Sequence, residues 1–296
     1  MPFNIKLPFK RQPFSRKPIT LARIIEYREK KPKRIDFIGC HQDSLTREAI
    51  SDRSDIIGKF VVPFAETIRP LFEKEMGLDL FPSKFNDGMW RSVQDEAEFT
   101  RIREWILAQG TRKFLRNCLD LSVALDYNIA NLENGQYTEI GDLEHRAKSI
   151  CDTEAVAGLS SVCVEAIQNL PYYRDAELIV AVPPMSAKKY DLPSQVAAKI
   201  SVDLKKKNLT DCFAWDHSKQ KPLKGARIEE KWALLEPTGL RLNCPISNKS
   251  DVILIDDKYQ SGTTMQFVAM KLQEAGARYI FGISLVKTLR DTDNAS

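Results

Sequence analysis

Residues 252–265, VILIDDKYQSGTTM, restrict the folding of this chain more than any other stretch. Four apolar residues in a row, Val252, Ile253, Leu254 and Ile255, have no polar face to turn to water. They read as a short strand buried on both sides, which needs a layer packed against each face. The run stops at two adjacent acids, Asp256 and Asp257. A hydroxyl-rich turn with one glycine, Gly262, follows and opens a helix carrying Met265, Val268, Ala269 and Leu272. Gly276 stands where that helix ends, and YIFGISLV (279–286) makes the next strand.

The same grammar extends upstream. EAVAGLSSVCVEAIQNL (154–170) has the spacing of a helix, and ELIVAVP (177–183) that of a short apolar strand. LPSQVAAKISVDLKKK (192–207) is a further helix, with Val196, Ala197, Ile200 and Leu204 on one side. Strands alternating with helices predict an α/β domain over 136–296 with a parallel sheet and right-handed crossovers.

Before residue 136 the pattern predicts something else. Residues 95–110 place Phe99, Ile102 and Ile106 at helical spacing before Gly110, and TRKFLRNCLDLSVALDYNIA (111–130) reads as a denser, core-facing helix. Residues 35–135 are therefore expected to be a helical module, with 128–141 as a linker rich in Asn and Gly. Phe85, Trp90, Phe99, Trp105 and Phe114 fit packing within it. Residues 1–34 form a third region, a basic arm interrupted by Pro8, Pro13 and Pro18. It holds eleven Lys or Arg against Glu26 and Glu29, so the overall charge of +4 conceals an acidic remainder. Such an arm suits a phosphate backbone or an acidic partner, and equally suits a solvated tail.

Composition excludes few classes. The chain is 43% hydrophobic and 28% charged, with no apolar run of membrane-spanning length and no secretory leader pattern, so a cytoplasmic protein without a membrane role is expected. The six cysteines, Cys40, Cys118, Cys151, Cys163, Cys212 and Cys244, lack a C-x-x-C pair. They read as reduced thiols and not as a zinc site.

In open parallel sheets, ligands bind beyond the carboxyl ends of strands, and Asp256–Asp257 sits at such an end. The turn from Gln260 to Thr264 directs free backbone N–H groups and a helix dipole at one point. Gly262 permits close approach, and Ser261, Thr263 and Thr264 add hydroxyl donors. The adjacent carboxylates suit sugar hydroxyls or the water shell of a magnesium ion. A phosphate grip beside a hydroxyl grip describes a ribose 5-phosphate.

With these residues in place, VILIDDKYQSGTTM resembles the phosphoribosyl-pyrophosphate (PRPP) signature of type I phosphoribosyltransferases. It looks most like the ComF-like, competence-associated branch, whose loop commonly has a tyrosine where Tyr259 stands. The resemblance extends over about 136–290. It implies a type I phosphoribosyltransferase fold, with Asp256 and Asp257 as the catalytic acids holding the ribose hydroxyls. Tyr259, Gln260, Ser261, Gly262, Thr263 and Thr264 would hold the 5-phosphate, with Mg2+ carried by PRPP near the acids. The loop after ELIVAVP resembles the pyrophosphate loop, which would comprise Pro184, Met185, Ser186, Ala187, Lys188 and Lys189. Residues 217–235 resemble the mobile lid, contributing His217, Lys221, Lys224 and Arg227; Trp215 and Trp232, on either side of its polar loop, can stack on a base or fill a core.

This sequence departs from the pattern at Lys258, which replaces an apolar residue, and at Gln260, which replaces a threonine. The Arg-Gly-Phe-Asn run and the cysteine-rich zinc segment of that branch are missing. Two functions follow. One is an enzyme that binds PRPP with Mg2+ and transfers or hydrolyses the phosphoribosyl group. The other is a non-catalytic sensor of PRPP or a nucleotide that binds nucleic acid or protein in DNA uptake, repair or defence. Expected partners are a ribose phosphate or nucleotide, nucleic acid through the basic arm, and a homo-oligomer or protein complex.

Overall fold

The computed structural model describes residues 13–14, 17–39, 41–48, 56–184, 190–217 and 226–290. Among them, seven strands form the central sheet: β1 (Arg34–Ile35), β6 (Lys113–Leu115), β7 (Leu121–Tyr127), β8 (Leu178–Ala181), β9 (Lys207–Asn208), β12 (Val252–Tyr259) and β13 (Ile280–Lys287). Their spatial order is β1-β6-β7-β13-β12-β8-β9. The strands from β7 to β9 run parallel, and β1 and β6 extend the β7 edge antiparallel. The molecule is thus mixed α/β with a mostly parallel sheet.

The apolar run behaves as its composition requires. Ile253 and Ile255 pack with α5 (Thr153–Asn169) and α6 (Leu192–Asp203) on one face. Val252 and Leu254 pack with α8 (Thr263–Glu274) and α7 (Ile228–Leu235) on the other. Alternate side chains of one strand therefore enter two different cores, as a period of two dictates. The helix α4 (Glu139–Ile150) lies on the α5 side, against β7 and β13.

This arrangement creates a crevice. The chain leaves β8 through α6 toward β9 and leaves its neighbour β12 through α8 toward β13. The two helices depart to opposite faces, so the order in which strands are added reverses between β8 and β12, which themselves run parallel. Such a switch point opens a cleft at the carboxyl ends of the two strands, and Asp256 and Asp257 stand at that end.

The region before residue 136 differs from the helical module expected there. Residues 111–130 form the hairpin of β6 and β7, not a helix, and β7 lies directly beside β13 in the central sheet. An apolar run such as LSVALDY fits a doubly buried strand as well as a buried helix, and its pairing with β13 decides between them. Upstream, β2 (Leu45–Arg47), β3 (Gly58–Val62), β4 (Phe81–Pro82) and β5 (Met89–Val93) form a second, antiparallel sheet in the order β2-β3-β5-β4. Helices α2 (Ile68–Met76) and α3 (Glu96–Ala108) accompany it. Phe60, Phe72, Trp105 and Phe114 pack in one cluster with the central sheet, so no break in packing occurs at residue 135. Helix α3 matches its expected span, capped by Asp95 and followed by Gly110 at φ +56°.

From Lys17 onward the basic arm is folded. Thr20 caps α1 (Leu21–Glu29), Ile19 and Ile24 are buried with α8, and Arg28 pairs with Glu229 of α7 at 3.0 Å. Its buried isoleucines and this ion pair together place it. The cysteine expectation also needs correction. Cys212 and Cys244 form a disulfide beside the two-residue ribbon of β10 (Phe213–Ala214) and β11 (Arg241–Leu242). Cys151 is exposed, while Cys118 and Cys163 are buried. A separation of 32 residues gives no sign that the two cysteines meet across a ladder. No helix among the described residues is long and apolar enough to cross a membrane.

Candidate functional site

At the end of β12 the chain makes three commitments in sequence. Asp256 and Asp257 are both half-buried, and Asp256 Oδ1 accepts the Asp257 amide at 3.0 Å. Tyr259 is buried, and its ring lies under the turn. A Cβ at Gly262 would stand 2.5 Å from it, and Gly262 itself is at φ +67°. Glycine is required there twice over, by backbone angle and by space. Tyr259 thus supports the turn from below, its hydroxyl accepting from Asn117 Nδ2 at 3.2 Å.

Helix α8 then starts at Thr263. Its first amides are not consumed by the helix itself, and the helix dipole adds positive potential there. Ser261 Oγ and Thr263 Oγ1 lie 2.9 Å apart, and Gln266 Nε2 donates to Gly262 O at 3.2 Å, bracing the turn. Gln260 is exposed, and Ser261 and Thr264 are half-buried. The turn also gains a cation that its own sequence does not supply. Lys231 of α7, only 5% exposed, donates from Nζ to Ser261 Oγ at 3.1 Å. A small cavity of about 20 Å3, room for about one water molecule, lies against Tyr259, Ser261 and Gln266. Arg28, Lys33 and Arg116 also line it, and Arg116 pairs with Asp87 at 2.6 Å and Glu66 at 3.2 Å.

The acid pair has its own surroundings. Lys148 of α4 contacts Asp257 through Nζ, and it lies 3.3 Å from Glu144 one turn earlier. Lys258, which like Gln260 departs from the signature that the sequence resembles, reaches the other Glu144 oxygen at 3.1 Å. Burial, reinforced by the charge of Asp257, pushes the Asp256 carboxyl well above the usual carboxylate range. Burial opposes the Lys148 charge, but Asp257 and Glu144 outweigh it and raise its pKa.

The divalent cation implied by the resemblance can be tested against these donors. One Asp257 oxygen is taken by Lys148, and one Asp256 oxygen by a backbone amide. Among the described residues no group of three or more His, Cys, Asp or Glu is placed to hold a metal. The donor set does not fit a metal held by the protein.

Other expected residues fall as follows. Pro184 is half-buried just beyond β8; Met185, Ser186, Ala187, Lys188 and Lys189 lie outside the described residues, as do Lys221 and Lys224. His217 is exposed, its amide donating to Thr238 O at 3.2 Å. Arg227 precedes α7, with its amide bonded to Glu230 at 3.0 Å. Trp232 is a core residue, edge-on to Phe267 with ring centroids 5.0 Å apart. Sequence inspection missed Lys231, Lys148 and Glu144. The spacing of Glu144 and Lys148 was visible, but such a pair reads as an ordinary exposed helix bridge. A larger groove, about 1130 Å3, lies on the outer face of the second sheet around Val61, Phe81, Phe85 and Trp90, and no motif residue lines it.

No protein-family model matches this sequence, and no curated relative matches it. Two solved structures similar to this chain are adenine phosphoribosyltransferases. That from Leishmania tarentolae matches 56% of this chain and 91% of its own, with 12% identity and a TM-score of 0.35. That from Trypanosoma brucei, solved with AMP, pyrophosphate and ribose-5-phosphate, matches 55% of this chain and 75% of its own, with 13% identity and a TM-score of 0.32.

Proposed function

We propose that the crevice beyond β12 binds a phosphoribosyl group, with PRPP as the ligand and transfer or hydrolysis of that group as the reaction. The observation that carries this reading is the adjacency, within one strand end, of two carboxylates and a helix-opening turn backed by the buried Lys231. A phosphate monoester needs donors and positive charge, which the α8 amides, the Ser261 and Thr263 hydroxyls and Lys231 supply. Vicinal hydroxyls need acceptors, which Asp256 and Asp257 supply. Each half would be a poor host for the other's ligand.

In the reaction, the bond from C1 of the ribose to the pyrophosphate oxygen breaks, and the leaving group keeps the electron pair. Positive charge grows on the ring, and in this reading the Asp257 carboxylate would stabilise that charge. The attacking acceptor is a base, another nucleophile or water. Pro184 stands just beyond the neighbouring strand β8, across the switch point, and in this reading pyrophosphate would leave on that side.

A second reading, a sensor that holds the same ligand without turning it over, is favoured by one feature. Asp257 is already engaged by Lys148, which lowers its value as a stabiliser of a cationic transition state. Two measurements separate the readings. PRPP should raise the unfolding temperature of the wild-type chain, and the double variant Asp256→Asn, Asp257→Asn should remain folded while losing that rise. Retention of the full rise would place the ligand elsewhere. Pyrophosphate release with a panel of bases, nucleotides and water then tests turnover, and a blank across the panel selects the sensor.

A further inference from the structure

Four charged groups form a connected chain that ends on the acid pair: Lys258, Glu144, Lys148 and Asp257. Lys258 Nζ and Lys148 Nζ take different oxygens of Glu144, at 3.1 and 3.3 Å, and Lys148 Nζ also contacts Asp257 Oδ2. Glu144 is only 1% exposed, so its charge depends on both lysines remaining in place. Helix α4 rests on β7 and β13, which fixes Glu144, and Glu144 in turn fixes Lys148. The Lys148 side chain is 43% exposed, and its ammonium is held beside Asp257 by these two carboxylates rather than by burial.

We infer that Lys148 is the resident counter-cation of the Asp256–Asp257 pair, so that the sugar phosphate is held here without a divalent cation bound by the protein. The inference rests on the phosphoribosyl reading and specifies its electrostatics. A divalent ion approaching Asp257 meets an ammonium anchored by Glu144, and displacing it would take from that buried carboxylate one of its two cations. Lys258 completes the device, because a single lysine shared between Glu144 and Asp257 would leave a net negative charge. The substitution at 258 and the lysine at 148 thus belong to one arrangement.

The test uses the full chain, ribose 5-phosphate as ligand and Mn2+ alone as a direct metal probe. Ribose 5-phosphate should bind wild type equally well with EDTA and with millimolar Mg2+. Lys148→Ala should bind about tenfold or more weakly in EDTA, with much of the loss recovered by Mg2+. Lys148→Arg, which keeps the charge, should behave as wild type in EDTA. Mn2+ relaxation measurements should detect no site at Asp257 in wild type. The inference is overturned by wild-type ligand binding that requires Mg2+, by Lys148→Ala binding unimpaired in EDTA, or by a wild-type Mn2+ site that Asp257→Asn removes. Should Lys148→Ala not fold, the wild-type EDTA comparison and the Mn2+ measurement still decide. If ribose 5-phosphate binds no form under any condition, the phosphoribosyl reading fails, while the Mn2+ result continues to judge Lys148 separately.

Discussion

The surroundings of Asp256 alter its acidity. Burial and the neighbouring Asp257 raise its pKa above that of an unfolded carboxylate. The folded state therefore holds this proton more tightly than the unfolded chain does. The associated stability is complete below the ordinary carboxylate range and is lost as pH rises through the raised value. Asp256→Asn removes that loss. Below about pH 4 the variant and wild type should unfold at similar temperatures. Toward neutral pH the variant should become the more stable, by about 2–4 °C for each kcal/mol relieved. A thermal series across pH checks this, and a variant less stable at neutral pH would mean that Asp256 is held ionised. The identity of this residue as a site candidate was legible, because two acids after an apolar run have few structural uses. The upward shift of its pKa was not, since that depends on packing from elements remote in sequence.

At the scale of the element, the turn into α8 depends on glycine. Gly262→Ala imposes a side chain at φ +67° and drives its Cβ into the Tyr259 ring. The expected cost is about 1–3 kcal/mol, with loss of phosphate binding because the amides are displaced. Combining it with Tyr259→Leu should recover the steric part alone; chemical denaturation with a phosphate titration measures both. Element type was readable wherever period and length agreed, as in α3, α5, α6, α8 and β13. It failed at 111–130, where an apolar stretch has the same composition in a buried helix and in a buried strand. The loss was functional as well as structural, because Arg116 and Asn117 sit at the turn of that hairpin, beneath Tyr259.

For the whole molecule, the N-terminal segment belongs to the fold. A chain beginning at residue 36 loses β1, α1 and the buried Ile19 and Ile24. Two isoleucines buried in full contribute about 3–6 kcal/mol, so the unfolding temperature should fall by roughly 10 °C. An unchanged transition would show that 17–35 is only a tail. The second sheet shares the main core, so the chain before residue 136 is not a separate attachment to the site. By itself the sequence determined the buried strand, the acid pair and the glycine turn, because each follows from neighbours along the chain and from local backbone preference. Only tertiary structure decided that β7 lies beside β13, that Cys212 meets Cys244, and that lysines from α4 and α7 reach the two halves of one crevice. Those are contacts between residues far apart in sequence, fixed by which faces share a core, and no local pattern encodes them.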